Sequence, residues 1–223
     1  MGPDTRIPSF VHHRTRLTEG QQHAWDTLWP VYGGDVADVD RLEGLDGPVG
    51  PVVLEIGSGN GEATALMAAA EPDRRHVAVE VYEPGLAHLL IRLRELGLEN
   101  LRLLRGDAVD LLERAVPERS LEGVRIFFPD PWPKRRHHKR RLVQPDFVAL
   151  AASRLRPGGW LHLATDWQHY ADQMLAVCSA CPALRPDPAM DPWLPRPDSR
   201  PLTKFEQRAV REGRAIRDLR YYA

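Results

Sequence analysis

Pro51-Val52-Val53-Leu54-Glu55-Ile56-Gly57-Ser58-Gly59-Asn60-Gly61-Glu62 runs from an apolar strand through a glycine turn into the start of a helix. A nearly continuous apolar run of this length suits a strand buried on both faces, the kind found in parallel sheets. Gly57, Gly59 and Gly61 let the backbone turn tightly and pass close to a ligand. Outward from this stretch, short apolar runs alternate with helical ones. His76–Glu80, Leu101–Leu104, Gly123–Phe128, Trp160–Ala164 and Ile216–Tyr222 read as further strands. Glu62–Ala70, the leucine stripe Leu86, Leu89, Leu90, Leu93 and Leu96 after Pro84, a short helix from Asp107 to Glu113, Pro145–Leu155 and Asp166–Ala180 read as helices. Arg156-Pro157-Gly158-Gly159 is a stop-and-turn signal. The alternation predicts an α/β fold with a mostly parallel sheet.

The chain has 223 residues, 43% of them hydrophobic, enough for one domain with a full core. Residues 1–32 form a basic N-terminal extension, carrying His12, His13, Arg14 and Arg16 ahead of a helix over Glu19–Leu28, with Met1–Asp4 a disordered tail. Residues 33–50 are Gly- and Asp-rich without a period and read as a connecting loop. Residues 182–201 hold seven prolines and read as a long surface segment with a short strand near Ala183-Leu184, followed by a helix over Thr203–Arg214. No apolar stretch approaches the ~20 residues of a membrane span, and no basic-then-apolar signal opens the chain. Cys178 and Cys181 close a helical segment without a second pair, so neither a redox motif nor a zinc site is expected. The free thiols fit the cytoplasm.

The glycine spacing is G-x-G-x-G, with Glu62 standing where a dinucleotide fingerprint needs its third glycine, which disfavours a pyrophosphate. Glu55, just ahead of the loop, suits a cationic or amino-bearing ligand instead. Glu80 ends the second apolar strand and is placed to accept ribose hydroxyl hydrogen bonds. Asp107, after the third, reads either as facing an adenine edge or as a helix cap. All three acids lie at carboxyl ends of strands, where open α/β sheets bind ligands. The arrangement resembles the class I S-adenosylmethionine-dependent methyltransferases. That resemblance implies a Rossmann-like, mostly parallel seven-stranded sheet with helices on both faces, and S-adenosylmethionine as cofactor, held by Glu55, Gly57, Gly59, Gly61, Glu80, Asp107 and Asp130.

After the fourth apolar strand comes Phe128-Pro129-Asp130-Pro131-Trp132-Pro133-Lys134-Arg135-Arg136-His137-His138-Lys139-Arg140-Arg141. Residues 134–141 hold six Lys or Arg and no acid, in a chain of formal net charge -1. A charge run alone reads as a solvated loop. Beside a carboxylate held among three prolines, it points to a polyanion kept next to a chemical site. This string resembles the signature of the bacterial tRNA (guanine-N7)-methyltransferases. Thr165-Asp166-Trp167-Gln168-His169-Tyr170-Ala171 and Thr203-Lys204-Phe205-Glu206-Gln207-Arg208 are similar to two further motifs of that family, and Arg16-Leu17-Thr18 more weakly to a fourth.

The resemblance implies methyl transfer from S-adenosylmethionine to N7 of a guanine in the tRNA variable loop. It makes Asp130 the catalytic acid and a cofactor contact, and Lys134, Asp166, Thr203, Lys204, Phe205 and Glu206 the substrate-binding residues. Arg136, His137, His138, Lys139, Arg140 and Arg141 would contact RNA. Trp132 and Trp167 read equally as base-stacking or core residues. The chain departs from the family pattern at Thr15, Ala209 and Arg214, positions of backbone turns and one polar contact. No metal, membrane or obligate protein partner is expected. The rival readings are a methyltransferase of this fold acting on another RNA, a small molecule or a protein, and a non-catalytic RNA-binding module. The basic run and the Thr203–Arg208 string oppose the first; the glycine loop with Glu55, Glu80 and Asp130 opposes the second.

Overall fold

The computed structural model describes residues 7–10, 16–42 and 50–223. The tail Met1–Asp4, the residues His12, His13, Arg14 and Thr15, and residues 43–49 of the expected loop lie outside the described residues. Eight strands form one sheet: β1 Gly33–Asp35, β2 Val52–Ile56, β3 Arg75–Glu80, β4 Leu101–Arg105, β5 Leu121–Phe127, β6 Leu155–Thr165, β7 Arg185–Pro186 and β8 Arg217–Tyr222. Their order is β1-β4-β3-β2-β5-β6-β8-β7. Only β8 and β7 run antiparallel to their neighbours. The helices are α1 Glu19–Tyr32, α2 Glu62–Ala70, α3 Glu83–Leu96, α4 Ala108–Arg114, α5 Pro145–Arg154, α6 Gln168–Ala180 and α7 Lys204–Arg211.

The core divides by sheet face. One cluster joins Ala24 of α1, Ala65 and Ala68 of α2, and Leu86, Leu89, Leu90 and Leu93 of α3 to Leu101 and Leu103. The other joins Leu111, Val148, Tyr170 and Met174 of α4, α5 and α6 to Val124, Ile126, Leu161 and Leu163. Four of the five stripe leucines are therefore core, as the period implies, whereas Leu96 at the end of α3 is exposed. Cys178 is buried in the second cluster, and burial pushes its thiol up to about 12.

Seven strands were expected and eight are present. The extra one is β1, inside the stretch read as a connecting loop. Three residues with two glycines carry no period, so local sequence cannot announce a strand. A tertiary contact creates it: Gly33–Asp35 pairs with Leu103–Arg105, and Arg105 closes a bidentate ion pair on Asp35 at 2.6 and 2.9 Å. Likewise α1 continues past Leu28 through Pro30 to Tyr32, and β6 begins at Leu155, taking in Arg156–Gly159 as an irregular stretch opposite Leu121–Gly123. No described helix is long and apolar enough to cross a membrane.

Candidate active site

Strand order reverses at β2, which pairs with β3 on one side and β5 on the other. The crevice outside the carboxyl ends at such a switch point is where open α/β sheets take ligands. A cavity of about 320 Å³ lies there. Gly57 and Gly59 from the β2 turn, Glu80 from β3, Asp107 from the β4 turn and Phe127–Asp130 from the β5 turn all line it. The structure thus brings five of the seven expected cofactor positions into one space.

The glycine turn is built for close approach. Gly57 and Gly59 have φ of 79° and 54°, and a Cβ at either would meet open space on the ligand side. Gly61, also expected against the ligand, serves packing: a Cβ there would stand 2.5 Å from Leu89 of α3. Glu80 ties the turn to its own strand. Gly59 N–H donates to its Oε2 at 2.8 Å, and Val81 and Tyr82 N–H donate to Oε1 at 2.7 and 3.0 Å. One carboxylate thereby fixes both walls, leaving acceptor capacity on Oε2. Asp107 caps α4 through Val109 N–H at 2.9 Å, as the capping reading expects, and also lines the cavity.

Glu55 sits behind the turn, 6% exposed and outside the cavity lining. Burial pushes its carboxyl up to about 7, with the Arg125 guanidinium pulling the other way. Glu55 therefore departs from the expected cofactor contact, since its side chain is buried and does not line the cavity. Gly85, in the first turn of α3, carried no sequence signal, yet a Cβ there would stand 2.2 Å from the Gly59 carbonyl oxygen. Only glycine lets α3 back the loop this closely.

The loop after β5 is strained at both ends. Phe128 and Trp132 hold φ of 53° and 45°, a left-handed conformation that costs side-chain-bearing residues about 1–2 kcal/mol each. These two kinks bracket Pro129-Asp130-Pro131, and the exposed Asp130 is among the residues that line the cavity. Trp132 is held by its Nε1–H to Ser9 O at 3.0 Å and lies 4.5 Å beneath the Arg140 guanidinium, which makes it a half-buried loop anchor. Trp167 remains exposed.

The basic run forms a turn of 3-10 helix over Arg135–Arg140. Lys134, Arg135, Arg136 and Lys139 are exposed, and Arg140 is partly so. Partial burial and neighbouring cations lower the proton affinity of His137 and His138 below that of an ordinary histidine. Arg141 departs from the expected RNA contact. It is 2% exposed, donates to Pro131 O at 2.8 Å, to Gln173 Oε1 at 2.7 Å and toward His169 Nδ1 at 3.0 Å, and lies against the Tyr170 ring. A guanidinium committed to the interior pins the Asp130 loop to α6 and does not face a phosphate.

Among the described residues, none of the expected substrate positions lines the cavity, and Phe205 meets it through Phe128. Asp166 Oδ2 takes Arg214 Nε at 2.8 Å, so the Arg214 departure from the family pattern lands on a site carboxylate. Thr203 is the N-cap of α7, its hydroxyl accepting from Glu206 N–H at 3.2 Å. Lys204 opens α7, and exposed Phe205 packs on Phe128 at 5.1 Å between centroids. Glu206 is 1% exposed and paired with Arg200 and Arg196, so it differs from the expected base contact. Among the described residues no cluster of His, Cys, Asp or Glu could hold a metal ion.

S-adenosylmethionine, implied by the sequence, fits these donors. The cavity lies within the ~300–1,000 Å³ of small-molecule sites. Its two open glycines cradle a chain, Glu80 and Asp107 accept hydroxyl or amino hydrogens, and the acidic lining suits a cationic group.

Residues 49–219 match the model of a family described as "Putative methyltransferase". A curated tRNA (guanine-N(7)-)-methyltransferase from Halorhodospira halophila is 50% identical over 223 residues, covering 99% of this chain and 96% of that one. One from Klebsiella pneumoniae is 46% identical over 220 residues, covering 98% and 92%. Crystal structures of the aminoglycoside resistance methyltransferase NpmB1 (TM-score 0.51, 16% identity, 78% of this chain and 87% of that one) and the 16S rRNA methyltransferase KamB (0.50, 18%, 77% and 87%) share the fold. With half of its residues identical along nearly the whole length of such a relative, and with the carboxylates gathered at the sheet's switch point, this chain belongs to the tRNA (guanine-N(7)-)-methyltransferase family.

Proposed function

We propose that this chain methylates N7 of a guanine in the tRNA variable loop, acting in the cytoplasm as a single methyltransferase domain without an obligate protein partner. The observation that carries this reading is the placement of Asp130. A strained loop carries it among the residues that line the cavity, with the exposed cations of residues 134–140 following on the same loop. S-adenosylmethionine supplies an electrophilic methyl group on a cationic sulfur.

Guanine N7 carries a lone pair and no proton, so the chain need not remove one before attack. Its task is orientation and charge. In this reading Asp130 would face the purine as positive charge grows on it, and a fixed carboxylate there would stabilise the transition state more than the neutral ground state. Asp166 keeps acceptor capacity beyond its Arg214 partner for a guanine N1–H or amino group. Glu80, Asp107 and the Gly57–Gly59 backbone line the cavity, and they would hold and orient the cofactor there. Lys134, Arg136, Lys139 and Arg140 meet phosphates, giving affinity without reading sequence.

The test is methyl transfer from labelled cofactor to bulk tRNA, followed by nucleoside analysis. 7-Methylguanosine is the expected product; its absence refutes the reading. Asp130→Asn, which keeps shape and removes charge, is expected to lower kcat by about 10- to 1,000-fold with little change in cofactor affinity. Full turnover in that variant would mean that the charge is irrelevant.

A further inference from the structure

We propose that Arg200 is a positioning residue for methyl transfer: it docks helix α7 against the Asp130 loop, and Glu206 serves the reaction through Arg200, without touching the base. The proposal rests on the functional reading above and assigns a role to a residue that no motif singled out.

Arg200 is 2% exposed and lies between two carboxylates that are each 1% exposed. Nη1 and Nη2 donate to Glu206 Oε2 and Oε1 at 2.6 and 2.9 Å. Nε and Nη2 donate to Asp218 Oδ1 and Oδ2 at 2.8 and 2.9 Å. Both carboxylates are thus gripped at both oxygens by one planar fork, a geometry that an ammonium cannot reproduce. Arg196 closes the group, donating to Glu206 Oε1 at 2.9 Å and to the Arg200 carbonyl at 2.6 Å. Two guanidiniums then balance two carboxylates. His162 adds a contact of 2.9 Å to Asp218 Oδ1, and burial lowers its proton affinity below that of an ordinary histidine. Charges this deeply buried persist only when paired on every side.

The three anchors come from different parts of the chain. Glu206 lies in the first turn of α7, Asp218 on β8, and Arg200 ends the proline-rich segment. The guanidinium carbon lies 5.8 Å from the Phe127 ring and 5.6 Å from the Phe128 ring. Phe128 is the left-handed residue that launches Pro129-Asp130, and Phe205, next to Glu206, packs on it from the other side. Sheet, helix and loop therefore meet at Arg200. Glu206 Oε1 already accepts two guanidinium hydrogens and Oε2 one, and at 1% exposure the carboxylate reaches a substrate only if the ion group opens. Losing Arg200 would leave Glu206 and Asp218 as adjacent buried anions and force α7 away, taking Phe205 off Phe128. Displacement of about 1 Å at a reacting group costs on the order of 100-fold in rate.

The test measures kcat and KM for tRNA, cofactor Kd by calorimetry and melting temperature for the parent, Arg200→Lys, Arg200→Met, Glu206→Gln and the Arg200→Met/Glu206→Gln pair. Arg200→Met is expected to lower kcat about 100-fold with cofactor Kd within about twofold of the parent, since the cofactor walls belong to other elements. Arg200→Lys keeps the charge, is expected to fold, and recovers only part of the rate. The double variant is expected to be no slower than the slower single one, because both changes break one coupling. Losses that multiply would show Glu206 acting by itself, and full kcat in a folded Arg200→Lys would show the fork to be dispensable; either overturns the proposal. A parent protein forming no 7-methylguanosine removes the functional reading and this proposal together, whereas an active parent with an unaffected Arg200→Met removes the proposal alone.

Discussion

Glu55 shows how one side chain can be both a site feature and a stability cost. Its carboxyl, pushed up to about 7 by burial, keeps a proton in the folded chain that it loses near 4.5 when unfolded. The folded state therefore binds more protons between those values, and the contribution is fully present below about pH 4.5 and lost as pH rises through 7. Glu55→Gln is expected to melt higher than the parent at pH 8, with the gain, at most about 3 kcal/mol, vanishing toward pH 5. Thermal melts at the two pH values check this, and a pH-independent difference would contradict it. The sequence marked Glu55 as an acid at the loop; only the tertiary structure shows that it is buried outside the cavity lining. Gly85 is the converse case. It stands in a helix, where glycine has no local justification, and its reason is the Gly59 carbonyl 2.2 Å from where a Cβ would be.

Between elements, that contact joins α3 to the cofactor loop. Backbone cannot yield as a flexible side chain does, so Gly85→Ala must push the loop outward. The expected result is a loss of about 2–3 kcal/mol in stability and weaker cofactor binding, read by melting and calorimetry; unchanged cofactor affinity would contradict it. The loop after β5 obeys a similar logic. Its prolines announced stiffness in the sequence, but the kinks at Phe128 and Trp132 arise from tertiary anchors. Phe128 N–H donates to Ala164 O at 2.7 Å, Trp132 donates to Ser9, and Arg141 holds Pro131 O. Helices and most strands were legible because burial on a face imposes a period. β1 and the α7 anchor were not, because each depends on a partner far away in the chain.

Across the whole molecule, 30 basic and 31 acidic residues nearly cancel, so residues 134–141 stand out as the concentrated cationic stretch to which the proposal assigns tRNA attraction. The six cations there divide by burial. Arg140→Ala or Lys139→Ala is expected to soften the log–log salt dependence of tRNA binding by about one unit and leave the melting temperature nearly unchanged. Arg141→Ala is expected to do the reverse, lowering the melting temperature by about 5–10 °C with little change in salt slope, because it leaves buried acceptors unpaired. Filter binding across a salt series, beside melting curves, separates the two, and equal salt effects at positions 140 and 141 would contradict the division. Sequence by itself determined the α/β alternation, the glycine turn, the acids at the strand ends and the concentrated charge, since these are properties of local pattern and composition. Tertiary structure alone decided which of those groups face the cavity and which, like Glu206 and Arg141, are spent inside. A charged side chain's role depends on whether water or a partner surrounds it, and that is set by residues distant in sequence.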